Sequence, residues 1–338
     1  PIAVGKVRYV GEPICVVIAR DRYLAEDALE LIEVDFKPLP AITNVEQAAD
    51  GEILIHEEAG ENMATRYTIG RGDIAASFAG AAYTRRERFQ TNRHGAVPLE
   101  TRGLIADFDG EKPLMRLYGA TKVNFFNRRH LAVALGLAEE AVELIETDVG
   151  GGFGARGELY PEDYLVPIAS RRTGCPVKWI EDRGENLMAM NHSRDIVCEL
   201  EIAATEDGRI LGMRGIVQGD MGAYVRTNGG TVASKGAQYL FGPYRIPAIS
   251  CEVQFLITNK TPVGTFRGPG RFETNFCRER LLDLMAGDLG IDPAELRLRN
   301  LIEPAELPYR LGKMVPGDPE VTFDRGDYPS ALRRLLDE

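Results

Sequence analysis

The segment Asp-Val-Gly-Gly-Gly-Phe-Gly, residues 148–154, stands between a predicted strand at 142–146 and a predicted helix at 159–172. Three consecutive glycines let the main chain adopt positive φ and approach a ligand without interference from a Cβ atom. The start of the following helix would offer free N–H groups to an anion. A tight strand-to-helix turn would explain the same glycines, so both interpretations stay open. Phe153 favours the ligand-binding loop, because an apolar ring between glycines suits the floor of a pocket.

A second glycine-rich segment, TFRGPGRFETNF at residues 265–276, precedes a predicted helix at 272–289. Its arginines, Arg267 and Arg271, flank the glycines, and a guanidinium offers fork-like donors to a phosphate or a developing oxyanion. A solitary loop of this kind is usually a surface turn. Two Gly/Arg loops at strand–helix junctions favour an anionic cofactor, with phosphate-ligand binding without redox chemistry as a weaker alternative.

The composition limits the partners. The 338 residues carry 40 Lys and Arg against 51 Asp and Glu, a net charge of −11, which argues against nucleic-acid binding. No apolar run approaches the roughly 20 residues that span a bilayer, so no membrane partner is predicted. The five cysteines are scattered, without a CxxC pair, and the four histidines are equally dispersed. We therefore predict no metal site built from side chains, and reduced thiols in the cytoplasm.

The hydrophobic patterns predict a mixed α/β chain of the α+β class. Residues 6–19 and 34–36 predict strands around a helix at 21–32, and the glycine-rich stretch 60–73 predicts a linker. The further predicted strands are 82–90, 103–108, 114–118, 142–146, 176–180, 196–204 and 210–218, the last two forming a hairpin around Asp207-Gly208. The further predicted helices are 123–135, 159–172, 272–289, one opened by Asp292-Pro293, and one at the end of the tail.

At its two loops the chain resembles the large, molybdopterin-binding subunits of the xanthine dehydrogenase, aldehyde oxidase and carbon monoxide dehydrogenase family. Further segments agree with the family in the same order along the chain: KVRYVGEPICVVIA (6–19), AEDALELIEVDFKPLP (25–40), HGAVPLETRG (94–103), PVKWIEDRGENL (176–187), DLGIDPAELRLRN (288–300) and GDYP (326–329). Together these segments are far more specific than any one of them.

The resemblance implies a domain organisation. Residues 1–59 would be the C-terminal part of an α/β hammerhead domain, followed by the linker at 60–73 and by a first molybdopterin-binding domain at 74–302. The tail at 303–338 would lead towards a second molybdopterin-binding domain.

The resemblance also implies the chemistry. Molybdenum, held by molybdopterin in its unmodified or cytosine dinucleotide form, would hydroxylate a C–H carbon with oxygen from water. FAD and 2Fe–2S clusters would be carried by a medium and a small partner subunit. Gly151, Gly152, Phe153 and Gly154 would lie on the loop that approaches the molybdenum and pterin, and Arg267 on the second cofactor loop.

Departures from the family pattern bear on the substrate. Lys122 stands where the family has a glutamine near the metal, and it is predicted to contact the cofactor. Gly157 takes the place of the glutamate of xanthine-oxidising members, with Glu158 one step on. Lys235 aligns with their substrate arginine and Pro269 with an aromatic residue. These differences disfavour purines and favour an aldehyde or an N-heterocycle, with Glu158, Lys235 and Pro269 predicted to line the substrate pocket.

Two further expectations concern activity. Gly268 occupies the position of the copper-binding cysteine of the carbon monoxide branch, which disfavours a carbon monoxide dehydrogenase-like subunit. The family's catalytic base is a glutamate in a C-terminal glycine-rich segment, so no catalytic residue is expected within residues 1–338. The chain is therefore expected to be a fragment or a split subunit that needs its C-terminal half or a partner. The alternative is a catalytically inactive scaffold or partner-binding half.

Glu100, in the HGAVPLETRG segment, has a simpler interpretation. A partly buried carboxylate at such a position most often accepts a hydrogen bond from a backbone N–H. We therefore predict a structural role for Glu100.

Overall fold

The structure is a computed structural model that describes residues 2–119 and 123–338, so Lys122 lies outside the described residues. The helices are α1 (Arg22–Glu30), α2 (Val45–Asp50), α3 (Ile74–Ala79), α4 (Asn124–Leu135), α5 (Pro161–Thr173), α6 (Arg183–Ala189), α7 (Gly230–Tyr239), α8 (Arg271–Leu289), α9 (Pro293–Asn300) and α10 (Tyr328–Asp337). The strands are β1 (Met63–Arg71), β2 (Tyr83–Gln90), β3 (His94–Gly95), β4 (Gly103–Asp109), β5 (Leu114–Gly119), β6 (Val142–Glu146), β7 (Val177–Ile180), β8 (His192–Ser193), β9 (Ile196–Ala204), β10 (Ile210–Asp220), β11 (Ala248–Leu256), β12 (Tyr309–Gly312) and β13 (Val321–Phe323).

A five-stranded sheet in the order β1-β11-β10-β9-β2 holds the larger core. Its strands pair antiparallel except β10 with β11, and β9 and β10 form the predicted hairpin around Asp207-Gly208. Helices α7 and α8 pack against one another and against this sheet. The shared core is apolar and fully buried, with members that include Ile196, Leu200, Met213, Val253, Phe255, Leu281 and Met285. This core fixes α7, which carries Lys235, and α8, which begins at Arg271.

A four-stranded sheet in the order β6-β5-β4-β7 forms the smaller core with α4 and α5. Leu131 and Leu135 of α4 and Val166 of α5 pack against Met115 and Leu117 of β5 in one cluster. The predicted strands and helices of this region are confirmed within one or two residues at each end. The first glycine-rich segment therefore leaves β6 at the edge of a rigid layer.

The strands predicted at 6–19 and 34–36 are wrong. Residues 2–40, all of them described, contain helix α1 with Asp21 as its N-cap and an isolated bridge between Val4 and Lys6, and no strand. The alternating apolar side chains Ile14 and Val16 are 37% and 47% exposed. A strand needs a paired strand that bonds its backbone along its length and helps to cover its apolar face, and none pairs with this segment among the described residues.

The linker predicted at 60–73 is also wrong, because β1 occupies most of it and pairs antiparallel with β11. As the edge strand of its sheet, β1 tolerates a glycine and exposed polar side chains, which is why its pattern looked like a linker. The tail at 303–338 folds back onto the larger core, where Leu311 and Met314 are buried. The domain boundaries themselves stay a prediction.

Asp163, in the first turn of α5, gives a test of stability against pH. Its Oδ2 accepts a hydrogen bond from Tyr160 N at 2.7 Å, yet burial raises the pKa of this carboxyl to about 6. Between about pH 4 and pH 6 the folded chain thus holds a proton that the unfolded chain has released, so the free energy of unfolding contributed by Asp163 falls as pH rises. We expect Asp163→Asn to gain about 1–3 kcal/mol relative to wild type over that window, by urea unfolding.

The exposed Glu111 supplies the control for this measurement, because Glu111→Gln changes an acid without changing a buried charge. Titrations of other groups cancel in the difference between variant and wild type. A difference for Asp163→Asn that stays constant from pH 4 to 6 would contradict the assigned pKa.

Candidate cofactor site

The two glycine-rich loops, 148–154 and 265–270, meet directly. Arg267 N donates to Phe153 O at 2.8 Å, and Thr265 Oγ1 donates to Gly154 O at 2.7 Å. Gly154 has φ +97°, and a Cβ there would lie 3.3 Å from the carbonyl oxygen of Thr265. The backbone conformation therefore favours glycine, and the second loop approaches this position closely. The sequence predicted both loops, and the structure joins them into one surface.

Glu100 holds the first loop in place. Glu100 N donates to Gly150 O at 3.1 Å, and Gly150 N donates to Glu100 Oε2 at 2.8 Å, which confirms the predicted structural role. A Cβ at Gly150 would lie 2.4 Å from the Cβ of Glu100. The buried Arg156 donates to Glu100 Oε2 at 2.9 Å and to Gly151 O at 2.7 Å. The loop is thus fixed at successive residues before any ligand binds.

The joined loops leave one face open. Phe153 is 48% exposed and has φ +50°, a conformation that is strained for a residue with a side chain. Apart from the glycine and its chain neighbours, no heavy atom of the described residues lies within 4 Å of where a Cβ would stand at Gly152 or Gly268. The Arg267 side chain is exposed beside them. Open main chain next to a guanidinium fits an anionic cofactor that binds against the backbone.

Glu158, predicted to line the substrate pocket, is instead buried behind the loops, with 3% of its surface exposed. Its Oε2 accepts from Asn228 N at 2.6 Å and from Thr227 Oγ1 at 3.1 Å, and its Oε1 accepts from Thr265 N at 3.1 Å. The carboxylate therefore ties the segment after the first loop to the second loop and to residues 227–228. It positions main chain, and whether Glu158 also meets a substrate stays a prediction.

Helix α7 brings Lys235 beside the second loop. A Cβ at Gly270 would lie 2.3 Å from Gly236 N and 2.7 Å from Lys235 C, so the loop and the helix backbone are in direct contact. Lys235 Nζ donates to Gln238 Oε1 at 2.5 Å, and both Lys235 and Pro269 are partly buried. The sequence did not predict α7. Whether Lys235 and Pro269 meet a substrate stays a prediction.

A cavity of about 880 Å³ borders Gly268 and the first turn of α8. The hairpin of β12 and β13 forms another of its walls through Val321 and Phe323. Arg271 and Tyr239 both line this cavity, and the Arg271 guanidinium lies 4.5 Å from the ring centre of Tyr239. The two arginines of the second loop therefore have different surroundings, since Arg271 packs on an aromatic ring.

A metal-binding group of side chains and a membrane-spanning helix are both absent from the described part of the chain. Residues 2–119 and 123–338 contain no group of three or more His, Cys, Asp and Glu side chains that could hold a metal ion. Over the same ranges, no helix has the length and apolar character needed to cross a bilayer.

The fold and site thus define an α+β protein with paired glycine–arginine loops suited to an anionic cofactor, and comparison with known proteins identifies the class. The family model of the molybdopterin cofactor-binding domain matches residues 55–301. The model of the aldehyde oxidase and xanthine dehydrogenase a/b hammerhead domain matches residues 1–40. The chain belongs to the molybdopterin-binding large subunits of the xanthine dehydrogenase, aldehyde oxidase and carbon monoxide dehydrogenase family, as the sequence resemblance implied.

Individual relatives agree with this assignment. The chain is 39% identical to the 6-hydroxypseudooxynicotine dehydrogenase complex subunit gamma of Paenarthrobacter nicotinovorans, and 34% identical to the carbon monoxide dehydrogenase large chain of Hydrogenophaga pseudoflava. These matches cover 99% of this chain and 42% and 43% of the relatives. The crystal structure of quinoline 2-oxidoreductase from Pseudomonas putida 86 superposes with a TM-score of 0.92 at 34% identity, over 99% of this chain and 42% of that one. The chain thus spans less than half the length of these proteins.

Proposed function

We propose that this chain holds one side of a molybdenum–molybdopterin cofactor in a molybdenum hydroxylase. The observation that carries the proposal is the hydrogen bond from Arg267 N to Phe153 O, which joins both loops beside open main chain at Gly152 and Gly268. Gly151 to Gly154 would let the backbone approach the cofactor, and the Arg267 guanidinium would donate to its anionic groups. When bound, the cofactor supplies hydroxylation of a C–H carbon with oxygen from water.

An N-heterocycle is the substrate class that we favour over an aldehyde. Among the relatives are the nicotine 6-hydroxylase large subunit of Paenarthrobacter nicotinovorans and the quinoline 2-oxidoreductase, whose named substrates are nitrogen heterocycles. Carbon monoxide is disfavoured, because Gly268 places no thiol in the second loop.

The catalytic base is proposed to come from outside this chain, from a second molybdopterin-binding domain or a split partner subunit. A general base must reach the reacting proton with a free oxygen. Glu100 and Glu158 contact the loops from outside them, and both accept hydrogen bonds from backbone N–H groups. Because these hydrogen bonds already hold both carboxylates to the backbone, we favour a base supplied by another part of the assembly.

The partner subunits, the cellular location and the form of the cofactor are proposed as well. Relatives described as subunits of complexes support a medium subunit with FAD and a small subunit with 2Fe–2S clusters. All five cysteines are free thiols, which supports a reducing, cytoplasmic location. A cytosine dinucleotide form of the cofactor is proposed from the family resemblance.

Metal and pterin analysis of the purified complex tests the proposal. We expect molybdenum in the wild-type complex and an approximately tenfold or greater loss of it in Arg267→Ala, the effect of removing a charged hydrogen bond. Arg271→Ala is the matched control, because Arg271 flanks the same loop but packs on Tyr239, and its molybdenum content should stay unchanged. A wild-type complex without molybdenum would refute the proposal and favour the scaffold alternative.

A further inference from the structure

A buried arginine lies directly behind the second loop. Arg194, between β8 and β9, is 5% exposed, and its Nη2 donates to Arg267 O at 2.7 Å. Its Nη1 lies 3.3 Å from Gly268 O, to which it also donates. The Gly268 carbonyl in addition accepts the N–H groups of Arg271 and Phe272, which begin α8. One guanidinium therefore fixes two successive carbonyls at the point where the loop becomes a helix.

The surroundings of Arg194 hold its guanidinium in a single place. Its central carbon lies 4.8 Å and 4.6 Å from the ring centres of Phe266 and Phe272. Its charge partner is Glu273, whose Oε1 is 3.3 Å from Nη1 and whose side chain is fully buried. Both aromatic rings belong to the second glycine-rich segment, so the guanidinium packs against the same segment whose carbonyls it binds.

This ion pair is a poor source of stability. Neither carboxylate oxygen of Glu273 accepts a hydrogen bond from the described residues, and Arg194 Nε has no partner among them. A buried pair recovers its desolvation cost only when its remaining hydrogen-bonding groups are satisfied. The geometry is thus better explained by a fixed position for the loop than by a gain in folding free energy.

The backbone at Arg194 is strained and is held by a second set of charges. Arg194 and Asp195 have φ +72° and +53°, two successive residues with side chains in the left-handed region. Arg93 Nη1 and Lys260 Nζ bind Asp195 Oδ2 at 3.2 Å and 2.8 Å. Lys260 Nζ is also 3.0 Å from the buried Asp220. Strain that the surroundings enforce in this way is typical of functional sites.

We propose that Arg194 is a positioning residue, which fixes the main chain at Arg267 and Gly268 so that the Arg267 side chain faces the cofactor. The inference rests on the proposed function for its consequence, but the fixed loop is a property of this chain that is measured separately. Sequence reasoning missed Arg194, because its partners are more than 70 residues away in the chain.

Hydrogen–deuterium exchange in the purified complex tests the position of the loop without reference to activity. The Arg267 amide reports on it, since this N–H donates to Phe153 O. We expect Arg194→Met to speed exchange in the peptide spanning 265–270 by about tenfold or more, and Arg194→Lys to do so to a smaller extent. Arg102→Met is the control, because Arg102 is equally buried and binds Glu181 and Glu162 instead.

A double variant separates positioning from stability. Arg194→Met/Glu273→Leu removes both buried charges, so its unfolding midpoint should be higher than that of Arg194→Met. Its exchange rate at 265–270 should stay about tenfold faster than in wild type. In both Arg194→Met variants kcat per bound molybdenum should fall, and molybdenum content should fall less than in Arg267→Ala, because the Arg267 guanidinium is misplaced but still present. Slow exchange in the double variant, or in Arg194→Met itself, would overturn the positioning role. A wild-type complex without molybdenum would instead refute the proposed function, and the exchange result would still decide whether Arg194 orders the loop.

Discussion

Alanine at Gly270 is expected to lower the free energy of unfolding by about 3–5 kcal/mol, the range of the most damaging single substitutions. The new Cβ would lie 2.3 Å from Gly236 N, 2.7 Å from Lys235 C and 2.8 Å from Val232 O. All three atoms belong to the α7 backbone, so no side-chain rotation relieves the overlap. Either α7 or the second loop must move, and both belong to the candidate site.

Gly268 provides a matched control two residues away. Its φ of +70° equals the +71° of Gly270 within a degree, but among the described residues nothing lies within 4 Å of its Cβ position. Gly268→Ala should therefore cost only the conformational term, about 1–2 kcal/mol. Equilibrium urea unfolding of both variants measures the difference, and equal losses would show that the contact between Gly270 and α7 is absent.

The second large effect is expected at Glu158. Glu158→Ala removes the acceptor of two backbone N–H groups, those of Asn228 and Thr265, in a partly buried region. Each donor left buried without a partner costs about 1–3 kcal/mol, so a loss of about 3–5 kcal/mol in the free energy of unfolding is expected. Because both segments border the cofactor loops, the variant should also bind less molybdenum.

Glu158→Gln refines this expectation. The amide keeps the shape and one acceptor oxygen, but its NH₂ group then faces a backbone donor, so an intermediate loss is expected. Glu111→Ala, at an exposed acid, should stay within about 0.5 kcal/mol of wild type. If Glu158→Ala resembled Glu111→Ala in urea unfolding, the loop-tying role of Glu158 would be wrong.

Much of the larger architecture could be predicted from local patterns. The hairpin of β9 and β10 followed from two apolar runs around Asp207-Gly208, and α9 followed from Asp292 as N-cap with Pro293 in its first turn. The strands predicted at 6–19 are wrong because a local pattern is not sufficient to form them. Their apolar alternation is real, but forming a strand depends on a partner that the local pattern does not specify.

The candidate site also has features that the sequence predicted and features that it did not. The two glycine-rich loops could be predicted from the sequence, because positive φ and close approach are demands that glycine meets by itself. Only the structure shows that Gly270 is the glycine approached by α7. The burial of Glu158 and its hydrogen bonds to the loops could not be predicted, since its identity says nothing about which N–H groups surround it. Arg194 gave no distinctive signal in the sequence.

The sequence by itself determined the family, the two loops and the class of cofactor, because those depend on residue types at fixed local spacing. Only the tertiary structure decided that Phe153 and Arg267 are joined by a hydrogen bond, that Glu158 is a buried tie, and that Arg194 lies behind the second loop. The physical reason is that burial and hydrogen-bond partners are set by segments some 70 to 110 residues apart in the chain, which meet only when the two sheets and α7 and α8 have packed.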